Sequence, residues 1–213
     1  MKMKNKLFIM AMLCAIAFST NAQTEKGKFL LGGGVNFSTS NQDNQGSGRK
    51  TVFGLSPRIG YLVSDNWAVG TTLNYSISKV KGTINDNNTL DMGNQHTYYG
   101  IAPFVRYYAK IADNFKFFGD FNVQAAFGKE KEVNEHGKSG ATKSKHNTYS
   151  TGISPGLAFF PAKKWAIEFS FPLVSYFTQK ITPEMPETTS FKYDAFTFGL
   201  SSFNPSIGVN YHF

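Results

Sequence analysis

The 213 residues hold a single cysteine, Cys14. A lone thiol makes no intrachain disulfide and no thiolate metal cage, so stability has to come from another source. Long apolar runs are missing as well. After residue 22 no stretch approaches eighteen consecutive apolar residues, which excludes a helical membrane span by length. Charge is thin, at 17% of residues, and three of the 22 basic side chains (Lys2, Lys4, Lys6) lie at the very start. The net +8 is therefore weaker over the rest of the chain than it looks, and nucleic acid is not an expected partner.

Aromatic side chains, by contrast, are plentiful: 21 Phe, 10 Tyr and 2 Trp. The chain opens with a lysine-rich stretch, continues through an apolar run from Leu7 to Phe18, and reaches Ser19-Thr20-Asn21-Ala22. This is the charged, apolar, small-residue order of a secretory signal peptide, with cleavage expected after Ala22. Residues 1–22 are then the signal and residues 23–213 one domain. Leu13 stands before Cys14 where lipoprotein processing wants a small residue, so a lipid anchor is not expected.

A repeat of about fifty residues organises the remainder. Gly54-Leu55-Ser56-Pro57, Gly100-Ile101-Ala102-Pro103 and Gly152-Ile153-Ser154-Pro155 recur, and Asn204-Pro205-Ser206-Ile207 is a degenerate fourth copy. A short polar turn and an aromatic follow the first three: Asp65-Asn66-Trp67, Asp113-Asn114-Phe115 and Lys163-Lys164-Trp165. Each unit reads as strand, tight turn, strand. Strands are expected at 28–38, 51–63, 67–78, 95–109, 115–128, 149–160, 165–177 and 196–213. Polar loops are expected at 40–50, 81–94, 130–145 and 180–193.

Successive side chains of a strand point to opposite faces, so each segment splits by parity. The odd set carries Phe29, Leu31, Leu55, Ile59, Val69, Leu73, Ile101, Val105, Phe117, Phe121, Leu157, Ile167, Phe169, Phe171, Leu173 and Phe177, with no Lys, Arg, Asp or Glu anywhere. The even set is small and polar, with Gly60, Gly70, Gly156 and Gly208 beside Asn74, Asn122 and Gln124. Eight strands enclose too little space for so many rings, so the bulky set faces outward. A charge on a lipid-facing position costs roughly 2 to 4 kcal/mol at mid-bilayer, which accounts for its absence from the odd set. The fold expected is all-β: an eight-stranded antiparallel up-and-down transmembrane β-barrel. Tyr61, Trp67, Tyr107, Phe115, Phe159 and Trp165, next to the short turns, are the expected periplasmic aromatic girdle, and Tyr75, Tyr99, Tyr149 and Phe177 the outer one. The repeat prolines are expected near the outer interface, at local bulges. Phe196 and Phe198 are apolar on the opposite parity from Phe203 onward, and a bulge at Ser201-Ser202 is expected between them.

The signal ending Asn21-Ala22-Gln23, the turn-plus-aromatic units and the last strand Ile207-Gly208-Val209-Asn210-Tyr211-His212-Phe213 together resemble the small outer-membrane β-barrel proteins of Gram-negative bacteria, the porin-family or OmpA-like transmembrane barrels. The resemblance implies an outer-membrane location reached through a cleaved signal, contact with outer-membrane lipid and lipopolysaccharide, and a monomer. It also implies that Val209, Tyr211 and Phe213 form the C-terminal signal read by the barrel-assembly machinery.

Inside the barrel, Arg58, Arg106, Lys116, Asp120 and Glu168 form the expected interior charge network, with Arg106 and Asp120 paired across one tight turn. No catalytic residue, metal site or cofactor is expected. His96 and His146 lie near loop ends with Ser78, Ser144 and Ser150 around them, but no motif orders a nucleophile, a base and an orienting carboxylate. His136 and His212 lack metal-ligand spacing with another residue. The expected function is a non-enzymatic outer-membrane barrel that supports envelope integrity or binds an unknown surface ligand through its extracellular loops. A narrow porin-like pore is the alternative, and a lipid A-modifying enzyme comes third.

Overall fold

Alternation of bulky and small residues lays each segment down as a pleated ribbon, and the short polar turns fold each ribbon back on its neighbour. In the computed structural model, described over residues 24–42, 47–84, 90–184, 189–199 and 206–213, the strands are β1 (Phe29–Gln42), β2 (Ser47–Leu62), β3 (Trp67–Val80), β4 (Thr83–Ile84), β5 (Leu90–Asp91), β6 (Gly93–Ala112), β7 (Phe115–Val133), β8 (Ser139–Ala162), β9 (Trp165–Ser170), β10 (Val174–Pro183), β11 (Phe191–Phe198) and β12 (Ser206–His212). β4 and β5 form a small separate hairpin. β9 and β10 both pair with β8 and are two segments of a seventh strand; β11 pairs with β10, and β12 with β9, as segments of the eighth. β12 also pairs with β1, which closes an eight-stranded antiparallel barrel. At the seam, Phe29 N–H donates to the Phe213 carbonyl at 2.8 Å and Phe213 N–H donates back at 2.9 Å. The seam joins residues 30–33 to residues 212–209, and among the described residues β1 beyond Gly33 and β11 do not pair with each other, so the seam is hydrogen-bonded at its periplasmic end, where it satisfies backbone groups that hydrocarbon could not.

The faces divide as alternation requires. Leu55, Ile59, Leu73, Ile101, Val105, Phe121 and Val209 are exposed on the outside, while Leu30, Ala68, Ala102, Phe104 and Asn210 are buried within. Aromatics ring the end with the short turns through cross-strand pairs: Phe29 on Tyr61 (5.1 Å between ring centres), Trp67 on Tyr107 (4.9 Å), Phe115 on Phe159 (4.7 Å) and Trp165 on Tyr211 (4.9 Å). At the other end Tyr99 meets Phe127 at 6.0 Å, and Phe127 meets Tyr149 at 6.5 Å.

Four expectations change. The stretches assigned to loops are largely strand. β7 runs on to Val133 and β8 starts at Ser139, so the charged segment after Gly128 is a long hairpin closed at Asn134, whose side-chain oxygen accepts from Lys138 N–H at 2.8 Å. Above the lipid both faces of a ribbon meet water, so hydrophobic alternation fades while the backbone ladder continues. Pro57 and Pro103 mark no bulge, since pairing on either side of each keeps one register; Pro155 keeps its register towards β7 but lies opposite the one-residue shift between β9 and β10. Pro103 also lies midway between Tyr107 and Tyr99 along β6, at mid-height and not at the outer interface.

The parity of the seventh strand switches between Ser170 and Val174, which the alternation through Phe171 and Leu173 does not anticipate. Phe169 pairs with Leu157, but Val174 pairs with Ile153, a shift of one residue across Pro172, which has no N–H to give the ladder. Phe177 thereby moves to the inward parity opposite Ser150, and Tyr176, exposed opposite Thr151, takes its place on the outer face. The eighth strand matches this change: Phe198 and Phe196 lie outward beside Val174 and Tyr176, while Val209 and Ile207 lie outward beside Ile167 and Phe169. The parity change therefore falls between Phe198 and Ile207, beginning with Gly199 at φ 110°. Ser201-Ser202, the fourth repeat's Asn204-Pro205 and the whole signal segment lie outside the described residues.

Candidate functional site: the lumen and its outer mouth

The tight turn between β6 and β7 places Arg106 directly opposite Asp120. Their planar groups meet twice, with Arg106 Nε donating to Asp120 Oδ1 at 2.6 Å and Nη2 to Oδ2 at 2.8 Å. Nη1 donates to Glu168 Oε1 at 2.5 Å and to the Tyr108 hydroxyl at 3.0 Å. Arg58 reaches in from β2, its Nη2 donating to Asp120 Oδ2 at 3.1 Å. Two cations and two anions thus neutralise one another in a layer across the barrel, in the paired and hydrogen-bonded form that burial demands. Lys116 stands apart from this layer, at the periplasmic end, where its ammonium donates to the Thr24 hydroxyl.

Aromatic rings cap the layer. Phe118 lies under the Arg106 guanidinium at 4.0 Å and Phe104 under Arg58 at 4.1 Å. Both rings sit on the even parity, where the sequence led us to expect only small and polar side chains. Glycines make their room: a Cβ on Gly156 would stand 2.4 Å from the Phe118 ring, and one on Gly70 2.6 Å from the Phe104 ring. Phe118 and Phe104 join Leu30, Leu62, Tyr108 and Phe160 in a buried apolar cluster at the periplasmic end, and His212 is wedged among them against Phe160 and Tyr108. Aromatics two residues from buried charges are the one signal that sequence offered for this plug, in Phe104-Val105-Arg106 and Phe118-Gly119-Asp120.

Beyond the ion layer the lumen widens. A cavity of 270 Å³ lined by Arg58, Asn122, Ser154 and Glu168 leads to one of 650 Å³ lined by Asn36, Asn74, Tyr98, Gln124 and Gln179. Tyr98 leads on to a second polar cluster on the extended strands, three residues past Tyr99 and so about 10 Å of strand beyond the outer ring. His96 pairs across with Glu130, and Glu130 with Ser144. His96 Nε2 lies 3.9 Å from Glu130 Oε1 and His146 Nε2 lies 3.7 Å from Glu130 Oε2. The Ser144 hydroxyl bridges His146 Nε2 at 2.9 Å and Glu130 Oε2 at 3.0 Å, and the Tyr98 hydroxyl meets His146 Nδ1 at 3.3 Å. Burial, with a smaller contribution from His96, holds the His146 imidazole below its usual pKa.

The structure therefore gathers Ser144, His146 and Glu130, which sequence left apart. The arrangement differs from a hydrolytic triad, because in a triad the carboxylate holds the nitrogen opposite to the one facing the nucleophile. Here serine and carboxylate share Nε2 and a phenol faces Nδ1. Ser78 and Ser150 contribute nothing to this cluster.

Among known proteins, the description "Outer membrane protein beta-barrel domain" matches residues 8–202. No curated protein matches the chain. Solved structures that align with it include Neisserial surface protein A (10% identity, 88% of this chain and 98% of that one, TM-score 0.41), OprG of Pseudomonas aeruginosa (15%, 91% and 99%, 0.48) and Ail of Yersinia pestis (15%, 88% and 99%, 0.38). The family match spans nearly the whole chain and agrees with the closed barrel and its apolar outer face, and the chain belongs to the outer-membrane β-barrel family and resides in the outer membrane.

Proposed function

We propose that this barrel is a non-enzymatic scaffold that conducts no solute and acts at the cell surface, supporting the envelope and binding through its extracellular hairpins and polar mouth. The observation that carries the reading is the sealed periplasmic half of the lumen. The ion layer around Arg106 rests on the apolar plug of Leu30, Leu62, Tyr108, Phe118 and Phe160, and eight strands leave no bypass around them. Lipopolysaccharide is a fitting partner. Lys129 and Lys145 sit directly opposite each other on the outward face just beyond the outer ring, a like-charge pair that a lipid phosphate would relieve, and among the described residues Glu184 offsets the second. Val209, Tyr211 and Phe213 on the outward face of the closing strand suit recognition by the barrel-assembly machinery, and the pairing of β1 with β12 of the same chain suits a monomer.

Planar-bilayer recordings test this reading. The purified barrel should stay silent at high salt, and Phe118→Ala combined with Tyr108→Ala should open measurable steps. Unit conductance from the unaltered protein would favour the narrow pore instead.

A further inference from the structure

We propose that His96, Glu130 and His146 form a binding site for one divalent transition-metal ion of the zinc type at the outer mouth of the barrel, ligated through both Nε2 atoms and the Glu130 carboxylate. This site is independent of the scaffold reading above and stands or falls separately from it.

The geometry carries the inference. One ligand atom from each of the three residues lies within 4.8 Å of the others. Ligands about 2.0–2.1 Å from a tetrahedral zinc stand roughly 3.4 Å apart, so closure asks for small side-chain rotations and no movement of the strands. Those strands are adjacent: His96 is on β6, Glu130 on β7 and His146 on β8, each paired with the next, and the β7–β8 ladder runs in one register up to Glu130, where a shift begins at Lys131. The rings are already turned to one another, with His96 and His146 edge to face at 5.9 Å.

The ligand set suits the ion. Two imidazoles and one carboxylate make three protein ligands and leave a fourth position for water, a set that zinc accepts and that the hard ions calcium and magnesium do not favour. The surrounding polar atoms also supply outer-shell support. With a metal on His146 Nε2, the proton moves to Nδ1, and Nδ1–H donates to the Tyr98 oxygen that already lies 3.3 Å away. Ser144 gives up Nε2 but keeps its bond to Glu130 Oε2, which steadies the carboxylate. A bound ion would cross-link three strands where they stand clear of the lipid.

Untagged protein in detergent micelles, titrated with Zn²⁺ by calorimetry and with Co²⁺ by visible absorption, tests the site. One equivalent should bind, with the cobalt spectrum of a low-coordinate nitrogen and oxygen site. His146→Gln and His96→Gln should each weaken binding by about a hundredfold or more, and Tyr98→Phe, which keeps every ligand, by roughly tenfold. His136→Ala, in the exposed turn beside Glu135, should change nothing. Heat-modifiable migration reports closure of each variant, and His96→Gln, which alters the less buried imidazole, serves if His146→Gln fails to fold. Absence of saturable binding below about 1 mM in the unaltered protein, or equal affinity in His96→Gln, overturns the proposal.

Discussion

Gly156 and Phe118 are cross-strand partners on β8 and β7, and the Phe118 ring fills the space that a side chain at 156 would need, 2.4 Å from where its Cβ would stand. The glycine is thus the receptor for the ring that caps Arg106 from below. A small residue facing a large one is how a narrow barrel fills its interior without voids.

Gly156→Val should therefore destabilise the barrel by about 1–3 kcal/mol through overpacking. Phe118→Ala added to it should cost less than the two changes summed, since each relieves part of the other's strain. Urea unfolding in lipid vesicles, followed by tryptophan fluorescence, reads both.

Removing Arg106 leaves the buried Glu168 without its cation and Asp120 with Arg58 alone. Arg106→Met should cost about 3–5 kcal/mol, as expected when one partner of a buried ion pair is deleted. Arg106→Lys should recover little, because an ammonium lacks the planar fork that meets Asp120 twice while also reaching Glu168. The same unfolding measurement decides, and a loss below about 1 kcal/mol in Arg106→Met, the range of an exposed pair, would contradict the described layer.

The two faces of β7 should answer the same substitution differently. Phe121→Lys places a charge on the outer face midway between Phe115 and Phe127 and should cost roughly 2–4 kcal/mol. Gln124→Lys points into the polar mouth and should change stability little. Similar losses at both positions would mean that the faces are misassigned.

Much of this architecture was legible in the chain because one face of every strand had to avoid charge, which left an uninterrupted record in Leu55 to Val63 and Phe115 to Phe127. Strand ends above the lipid were not legible, since residues such as Lys129 and Lys145 obey no hydrophobic alternation although their backbones pair. The switch across Pro172 hid behind apolar residues on both sides, Phe171 and Leu173, which read as continuous in one parity. The interior plug was hidden for a different reason. Phe118 is welcome inside only because Gly156 is empty, and that complementarity joins residues on two strands whose register the chain does not state. The grouping of His96, Glu130 and His146 needed the same register, from three strands at once.

The central claim is that the bulky face of each ribbon meets hydrocarbon. Phe121→Trp in a Trp67→Phe/Trp165→Phe background puts a single reporter at mid-height of that face. Reconstituted in vesicles of phospholipid brominated at mid-chain, its fluorescence should be strongly quenched and should resist aqueous acrylamide. Ready quenching by acrylamide with no response to the brominated lipid would contradict the account.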